Sequence, residues 1–450
     1  MSQSNTQLMT HGNITKQILW FSLPLLIGNL FQQFYSTVDS IVIGNFVGDN
    51  ALAAVNSSGP IVFLFISFFN GLAIGAGVAI SRHYGAGNLK EVSKNVHTAI
   101  ALTFVVSVLL TIVGYFITPT ILQIMNVDAE VMANSITYLQ IYFLGSFGII
   151  TYNMGSGILR AVGDSRRPLY ILIVSCVINI VLDLVFVVVF GWAVMGVAVA
   201  TLIAQVVSAI LVLYLLIKST DIYRLEIKKV RFHRDSLEEI IRIGLPSAIQ
   251  NMIVSLSNAV VQSNINSFGK FAMAGAGSYT KIDGFAILPV MSFSNALTTF
   301  VAQNMGAREY DRVRKGIRIG LILSCSITLG ISLILFLFAH QILALFSTNP
   351  TVIEYGTLMM RSIVPGYIIL AISHNLAGAL RGSGQTKVPM IIMIFSWCIC
   401  RIAWITIMVK LFNDIQHVFM GWPITWVIST VLLVIYFKRS NWLKEENNPS

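Results

Sequence analysis

Charge is what this sequence has least of. Only 11% of its 450 residues are Asp, Glu, Lys or Arg, against about 25% in a soluble domain. That excludes a soluble globular enzyme and leaves little mass outside a membrane. Acids are scarcer than bases, 19 against 29, for a net charge of +10. The bases sit in short loops and form no patch, so membrane topology explains them and a nucleic-acid partner is not expected. Cysteine is sparse: Cys176, Cys325, Cys398 and Cys400 all fall in apolar runs. Their spacing matches no zinc or redox motif, so they read as small packing residues. There is no His/Glu zinc motif, no nucleophile elbow and no Walker lysine after the Gly71, Gly75, Gly77 stretch. An intramembrane enzyme is therefore a remote alternative, and no cofactor is expected. The first fifteen residues are polar and hold no apolar core, so no cleavable signal is expected.

What the chain has instead is apolar length: 56% of its residues are hydrophobic. Twelve segments could cross a bilayer, at 17–43, 52–80, 95–117, 136–159, 169–190, 195–217, 239–266, 274–303, 317–339, 355–379, 389–411 and 417–437. Alternate loops differ sharply in charge. One set carries nearly all the Lys and Arg, from Lys16 to Lys444. The other holds only Lys270 and Lys410, while Lys281, Arg361 and Arg401 fall within segments. The positive-inside rule then places both termini and the long 218–238 loop in the cytoplasm of a multi-pass protein of the cell membrane.

The chain also repeats itself. Leu23-Pro24 recurs as Leu245-Pro246 and Gly85-Ala86 as Gly306-Ala307. GILRAVGDSRRP from Gly157 recurs as GALRGSGQTKVP from Gly378. The offset is 221 or 222 throughout. Six segments return the chain to its starting side, so the halves are parallel repeats. The expected fold is an all-α integral membrane protein with twelve transmembrane helices in two six-helix pseudo-repeats around a central cleft. Its parts are an N-lobe at 1–217, a basic cytoplasmic linker at 218–238, and a C-lobe with a short tail at 239–450.

Two acids stand out because they lie deep in apolar runs. Asp183 precedes Gly191 by eight residues and Asp39 precedes Gly48 by nine. At about 1.5 Å per residue both lie roughly 12–14 Å inside the same membrane face. Asn179 shares the Asp183 helix face one turn away, and Thr201 reaches the same level on the returning segment. Carboxylate, amide and hydroxyl oxygens are what a hard cation takes, so these four form a candidate cation site with Na⁺ as a possible occupant. Two neighbouring acids also disfavour double ionisation, so the same pair can carry a proton. The coupling ion is therefore H⁺ or Na⁺. By the repeat offset Asp39 aligns with Val261, Asn179 with Cys400 and Asp183 with Trp404. The polar set is thus not a requirement of the fold.

Twelve segments, two lobes and the paired G-x-L-R-x-x-G-x-x-x-x-P signatures at 157–168 and 378–389 resemble the multidrug and toxic compound extrusion (MATE) transporters. The resemblance spans nearly the whole chain. It implies a secondary antiporter exporting organic, cationic or amphipathic drug-like compounds against inward H⁺ or Na⁺. It carries the N-lobe ion site onto Asp39, Asn179, Asp183 and Thr201. The seventh and tenth segments lack internal acids, which favours the DinF-like subgroup. The alternative within the same superfamily is a lipid-linked precursor flippase, for which only Arg401 speaks. Small organic substrates and membrane lipid are the expected partners, and a monomer is the expected state.

Pro24 and Pro246 lie inside the first helix of each half, where a missing hydrogen bond invites a kink. Bending of the first helix on cation binding at Asp39 is one reading, and a static kink the other. Gln33 and Tyr35 on the first segment and Asn251, Asn258 and Gln262 on the seventh are candidate cleft residues. They belong to stretches more polar than lipid tolerates. Arg401, within the eleventh segment, either pairs with an acid such as Asp283 or snorkels into a wet cavity. Arg160 and Arg381 read as helix-end anchors, and the Gly71, Gly75, Gly77 face as close helix packing.

Overall fold

The computed structural model describes residues 8–125, 127–440 and 442–443; Lys444 and the side chain of Ser36 lie outside the description. Among the described residues, eleven helical stretches are long and apolar enough to cross a bilayer. The chain forms two compact units, Ile27–Ala248 with Leu8, and Met9–Leu26 with Ile249 onward.

The first half contributes α1 (Ile14–Phe46), α2 (Asp49–Gly85), α3 (Leu89–Ile124), α4 (Ala129–Leu144), α5 (Ser146–Ala161), α6 (Arg166–Leu184) and α7 (Ala193–Lys218). The expected segment at 136–159 is thus two helices, broken at Gly145. The carbonyl of Phe143 is taken by two hydroxyls, Ser146 Oγ at 2.6 Å and Thr111 Oγ1 at 3.1 Å. Such side-chain bonds compete with the helix ladder.

The second half contributes α8 (Arg234–Asn266), α9 (Lys270–Ala286), α10 (Leu288–Gly306), α11 (Tyr310–Leu337), α12 (Ala339–Ala344), α13 (Pro350–Ile363), α14 (Tyr367–Gly382), α15 (Lys387–Ile394), α16 (Arg401–Phe412) and α17 (Ile415–Arg439). Here the segments expected at 274–303 and 355–379 are also interrupted, at Ile287 and at a 3₁₀ turn over Val364–Gly366. Pro289 and Pro365 supply no N–H to the ladder, which accounts for both breaks. Gly145 and Gly366 are related by the repeat offset, so this interruption recurs in both halves.

The boundary between the units divides two helices. In α1 it falls after Leu26 and in α8 after Ala248. Each point is two residues past a proline, Pro24 or Pro246, and both helices stay continuous there. α1 therefore has its start in one unit and Asp39 in the other.

In the first unit, α2 meets the start of α8 through its small residues. A Cβ on Gly71 would lie 2.3 Å from the Ala248 backbone, and one on Gly75 would lie 2.4 Å from Gly244 Cα. Only glycine permits so close a backbone approach. The stretch after α7 is held to the same unit. Tyr223 and Leu225 are buried in its core. Glu226 N–H donates to His97 Nε2 at 3.0 Å, and His233 N–H to Thr98 Oγ1 at 3.2 Å.

In the second unit, α10 and α14 form the central pair, with α9 against α13 and α11 against both members of the pair. The N-terminal segment is fixed here. Met9 N–H donates to Gln303 Oε1 at 2.8 Å, and Arg312 donates to the carbonyls of Met9 and Gly12. The repeated signature is a turn between helices. Gly163 and Gly384 adopt φ of 87° and 86°, which favours glycine. Asp164 Oδ1 accepts from the Arg166 and Arg167 N–H groups that open α6. Burial, opposed by these N–H groups and Arg167, pushes the Asp164 carboxyl above its ordinary range.

Candidate cation site

The deep polar residues of the first unit converge. α6 presents Asn179 and Asp183 on one face, both 0% exposed. α1 brings Asp39 to them, and α7 brings Thr201. With its amide nitrogen turned toward the acids, Asn179 donates to Asp39 Oδ1 at 3.0 Å and to Asp183 Oδ2 at 3.2 Å. The other end of that amide lies 3.5 Å from Thr201 Oγ1, where its carbonyl oxygen accepts from the hydroxyl. One amide nitrogen thus lies within hydrogen-bond distance of an oxygen of each acid.

The electrostatics follow from what is missing around these acids. Among the described residues, no Lys or Arg pairs with either carboxylate, and no donor is aimed at the buried Asp183 Oδ1. Two carboxylates that share one amide nitrogen disfavour double ionisation in a low-dielectric interior unless a cation or a proton lies between them. The arrangement can therefore hold one small positive ion or one proton, and α6 changes form immediately beyond it. Val185–Val189 is a π-helical turn, a feature frequent at functional sites.

The remaining sequence-predicted residues are dispersed. Tyr35 lies beside the polar set: its hydroxyl is 3.3 Å from Thr201 Oγ1. Its position on α1, one helical turn before Asp39, gave it the same face. Gln33 is half-buried, and its carbonyl accepts from Thr37 Oγ1. On α8, Asn251 is half-buried, while the exposed Gln262 bonds to Asn266 at 2.9 Å. Asn258 Oδ1 accepts from Arg401 at 3.0 Å.

Arg401 does not pair with Asp283, nor does it snorkel. It is 1% exposed. Its other donors bond to Thr425 Oγ1 at 3.2 and 3.3 Å, and its guanidinium faces Trp397 and Trp422 at 5.9 and 5.6 Å from their ring centroids. Neutral acceptors and two aromatic faces stand in for a counter-charge. A π-helical turn, Phe395–Cys400, immediately precedes it. Arg381 is buried and donates to Ser294 Oγ at 3.2 Å. Tyr138 on α4 lies within electrostatic reach of both Asp39 and Asp183 and was not singled out from the sequence. The one signal for it was a polar aromatic at four-residue spacing with Tyr142, with which its ring stacks.

Two repeated helical halves, one holding paired acids with no Lys or Arg partner among the described residues, fit a multi-pass membrane transporter. Comparison with known proteins gives the family. The MatE family profile matches residues 24–185 and again 246–407, and the chain belongs to that family, the multidrug and toxic compound extrusion transporters. It is 30% identical to the probable multidrug resistance protein YoeA of Bacillus subtilis, over 96% of this chain and 95% of that one. It is 28% identical to the probable multidrug resistance protein NorM of Thermotoga maritima, over 96% and 94%. A solved transporter of the MOP superfamily from Pyrococcus furiosus superposes with a TM-score of 0.92 at 25% identity, covering 99% of both chains. Members of this family are cation-coupled transporters and not enzymes.

Proposed function

We propose that this chain is a secondary active antiporter that exports organic, cationic or amphipathic drug-like compounds in exchange for inward H⁺ or Na⁺. Asp39, Asn179, Asp183 and Thr201 bind the coupling ion. The observation that carries this reading is the Asn179 amide bridging two carboxylates that have no basic partner among the described residues. A structural ion pair would have supplied a Lys or Arg at this point. The relatives named as multidrug resistance proteins support the substrate class.

Both termini and the basic stretch at 218–238 face the cytoplasm in this reading, and the ion site lies nearer the outer face. The lobes are residues 1–217 and 239–450, and Gln33, Tyr35, Asn251, Asn258 and Gln262 contact the substrate. Pro24 gives α1 a weak point between its anchored start and Asp39, so that filling the site changes the bend of the helix. The flippase alternative leaned on Arg401 as part of a basic cavity. That side chain is buried and engaged, so the multidrug reading is preferred.

The test uses vesicles containing the protein, loaded with a fluorescent cationic dye and given Na⁺ and pH gradients separately. Wild type exchanges dye against at least one gradient, and Asp39→Asn and Asp183→Asn abolish the exchange while the protein remains folded. Normal transport by both variants overturns the site assignment.

A further inference from the structure

The second unit holds an acid that the cation site does not use. Asp283 lies on α9 one turn before the break at Ile287, and Tyr367 opens α14 directly after the Val364–Gly366 turn. Two helix interruptions thus meet at one carboxyl group. The Tyr367 hydroxyl donates to Asp283 Oδ1, and the Tyr279 hydroxyl donates to the same oxygen at 3.2 Å. The two phenols are 2.9 Å apart. Both tyrosines are buried in the core of the unit, at 3% and 2% exposure.

Among the described residues, the surroundings hold no counter-charge. Lys270 and Lys281 on the same helix and Glu354 and Arg361 on α13 are exposed, Tyr355 on α13 is half-buried against Gly275, and α10 carries no titratable group. On α11, Asp311 and the basic residues lie in the first turns, leaving Cys325 as the one titratable side chain further along. On α14, His374 lies against the Trp397 ring and Arg381 reaches Ser294. Arg401, the nearest candidate from sequence, is bound to Asn258 and Thr425. A carboxylate within a membrane span is expensive, and two phenol donors to one of its oxygens offset only part of that cost. Nor does the fold demand an acid. By the repeat offset Asp283 corresponds to Ile61 or Val62, and Tyr279 to Ser57 or Ser58.

We propose that Asp283, positioned by Tyr279 and Tyr367, is a second proton-binding carboxyl, in the C-terminal unit and separate from the acids of the N-terminal unit. The proposal rests on reading the chain as a cation-coupled exporter. One proton is bound and released there: the ionised group accepts from both phenols, and the protonated group keeps its own hydrogen on the second oxygen. A structural tie between α9 and α14 is the competing explanation, and chemistry separates the two. Asn in place of Asp283 keeps an oxygen that accepts from both tyrosines but cannot take up a proton.

The experiment is pH-titrated infrared difference spectroscopy of the full chain in lipid, together with dye exchange in vesicles. Wild type shows a titrating protonated-carboxyl band that Asp283→Asn removes and the Asp39→Asn, Asp183→Asn double variant keeps. Tyr367→Phe, which leaves the carboxyl in place and removes one donor, moves that band. Under an imposed pH gradient, Asp283→Asn exchanges dye more slowly than wild type. The absence of any titrating band sensitive to Asp283→Asn overturns the proposal, as does wild-type exchange by that variant. The infrared band is read without transport, so failure of the Asp39 and Asp183 assignment leaves this result standing, and the reverse.

Discussion

One amide ties Asn179 to Asp183: a nitrogen 3.2 Å from Asp183 Oδ2, one turn along the same helix, also lies 3.0 Å from Asp39 Oδ1 on another helix. A neutral donor between two acids neither neutralises them nor lets them separate. It sets the distance between the carboxylates and leaves their charge to an ion or a proton. Asn179 is thus as much a part of the proposed chemistry as the acids it joins.

Asn179→Ala is therefore expected to weaken cation binding while both acids remain. Asn179 both offers an oxygen and orients the two carboxylates, and loss of the orienting role alone typically costs about 10–100-fold in ion affinity. The measurement is the rise in unfolding temperature with added NaCl, against choline chloride as an ionic-strength control, since a ligand bound only to the folded state stabilises it by mass action. Where wild type is stabilised by Na⁺, an equal Na⁺ dependence in the variant contradicts the role given to the amide.

Helix packing at Gly75 makes a separate prediction. A Cβ there would sit 2.4 Å from Gly244 Cα and 2.6 Å from the Ile240 carbonyl oxygen, both backbone atoms with no rotamer to yield. Gly75→Val should destabilise the first unit by about 1–3 kcal/mol or more, the usual range for overpacking a tight contact. Gly330→Ala is the control. It has no atom within 4 Å of the added methyl and no positive φ, so its effect should be neutral or slightly stabilising. Thermal unfolding of the two variants in one detergent checks both. Equal midpoints would mean that α2 and α8 can separate without cost.

Much of this arrangement was legible in the sequence, for identifiable reasons. Helix rise is constant, so distance from Gly48 and Gly191 placed Asp39, Asn179, Asp183 and Thr201 at one depth, and in the folded chain they meet. The proline and glycine repeats marked the halves because those residues carry backbone constraints that substitution would break. Other features left no such trace. Tyr35 read as part of a polar stripe, and its closeness to Thr201 depends on a second helix that one helix face does not reveal. Arg401 invited an acidic partner, but hydrogen bonds to Asn258 and Thr425 and two Trp faces satisfy it, and such contacts have no sequence spacing. The break at Gly145 depends on Thr111 from another helix and so escapes any local rule.

The final prediction concerns pH on the stretch between the halves. His233 Nδ1 lies 3.2 Å from Thr98 Oγ1, and its Nε2 accepts from Arg231 Nε at 3.2 Å. A ring nitrogen that accepts from a cation has no place for a second proton. Partial burial, then the Arg231 charge, hold this imidazole below its ordinary 6.5. The folded attachment thus favours neutral His233, and the detached stretch binds the proton more readily. Its stabilising contribution is present above 6.5 and is lost as pH falls through the lower folded value. The ring is half-exposed and screened by solvent, so the effect should be modest and should shrink further in high salt. Hydrogen exchange at the His233 amide, which donates to Thr98 Oγ1, reports it directly once intrinsic exchange rates are divided out. Protection should fall on acidification below 6.5 in wild type and stay level in His233→Gln, which cannot titrate. A wild-type profile as flat as the variant's would show that the 219–233 stretch is held without regard to the protonation of this histidine.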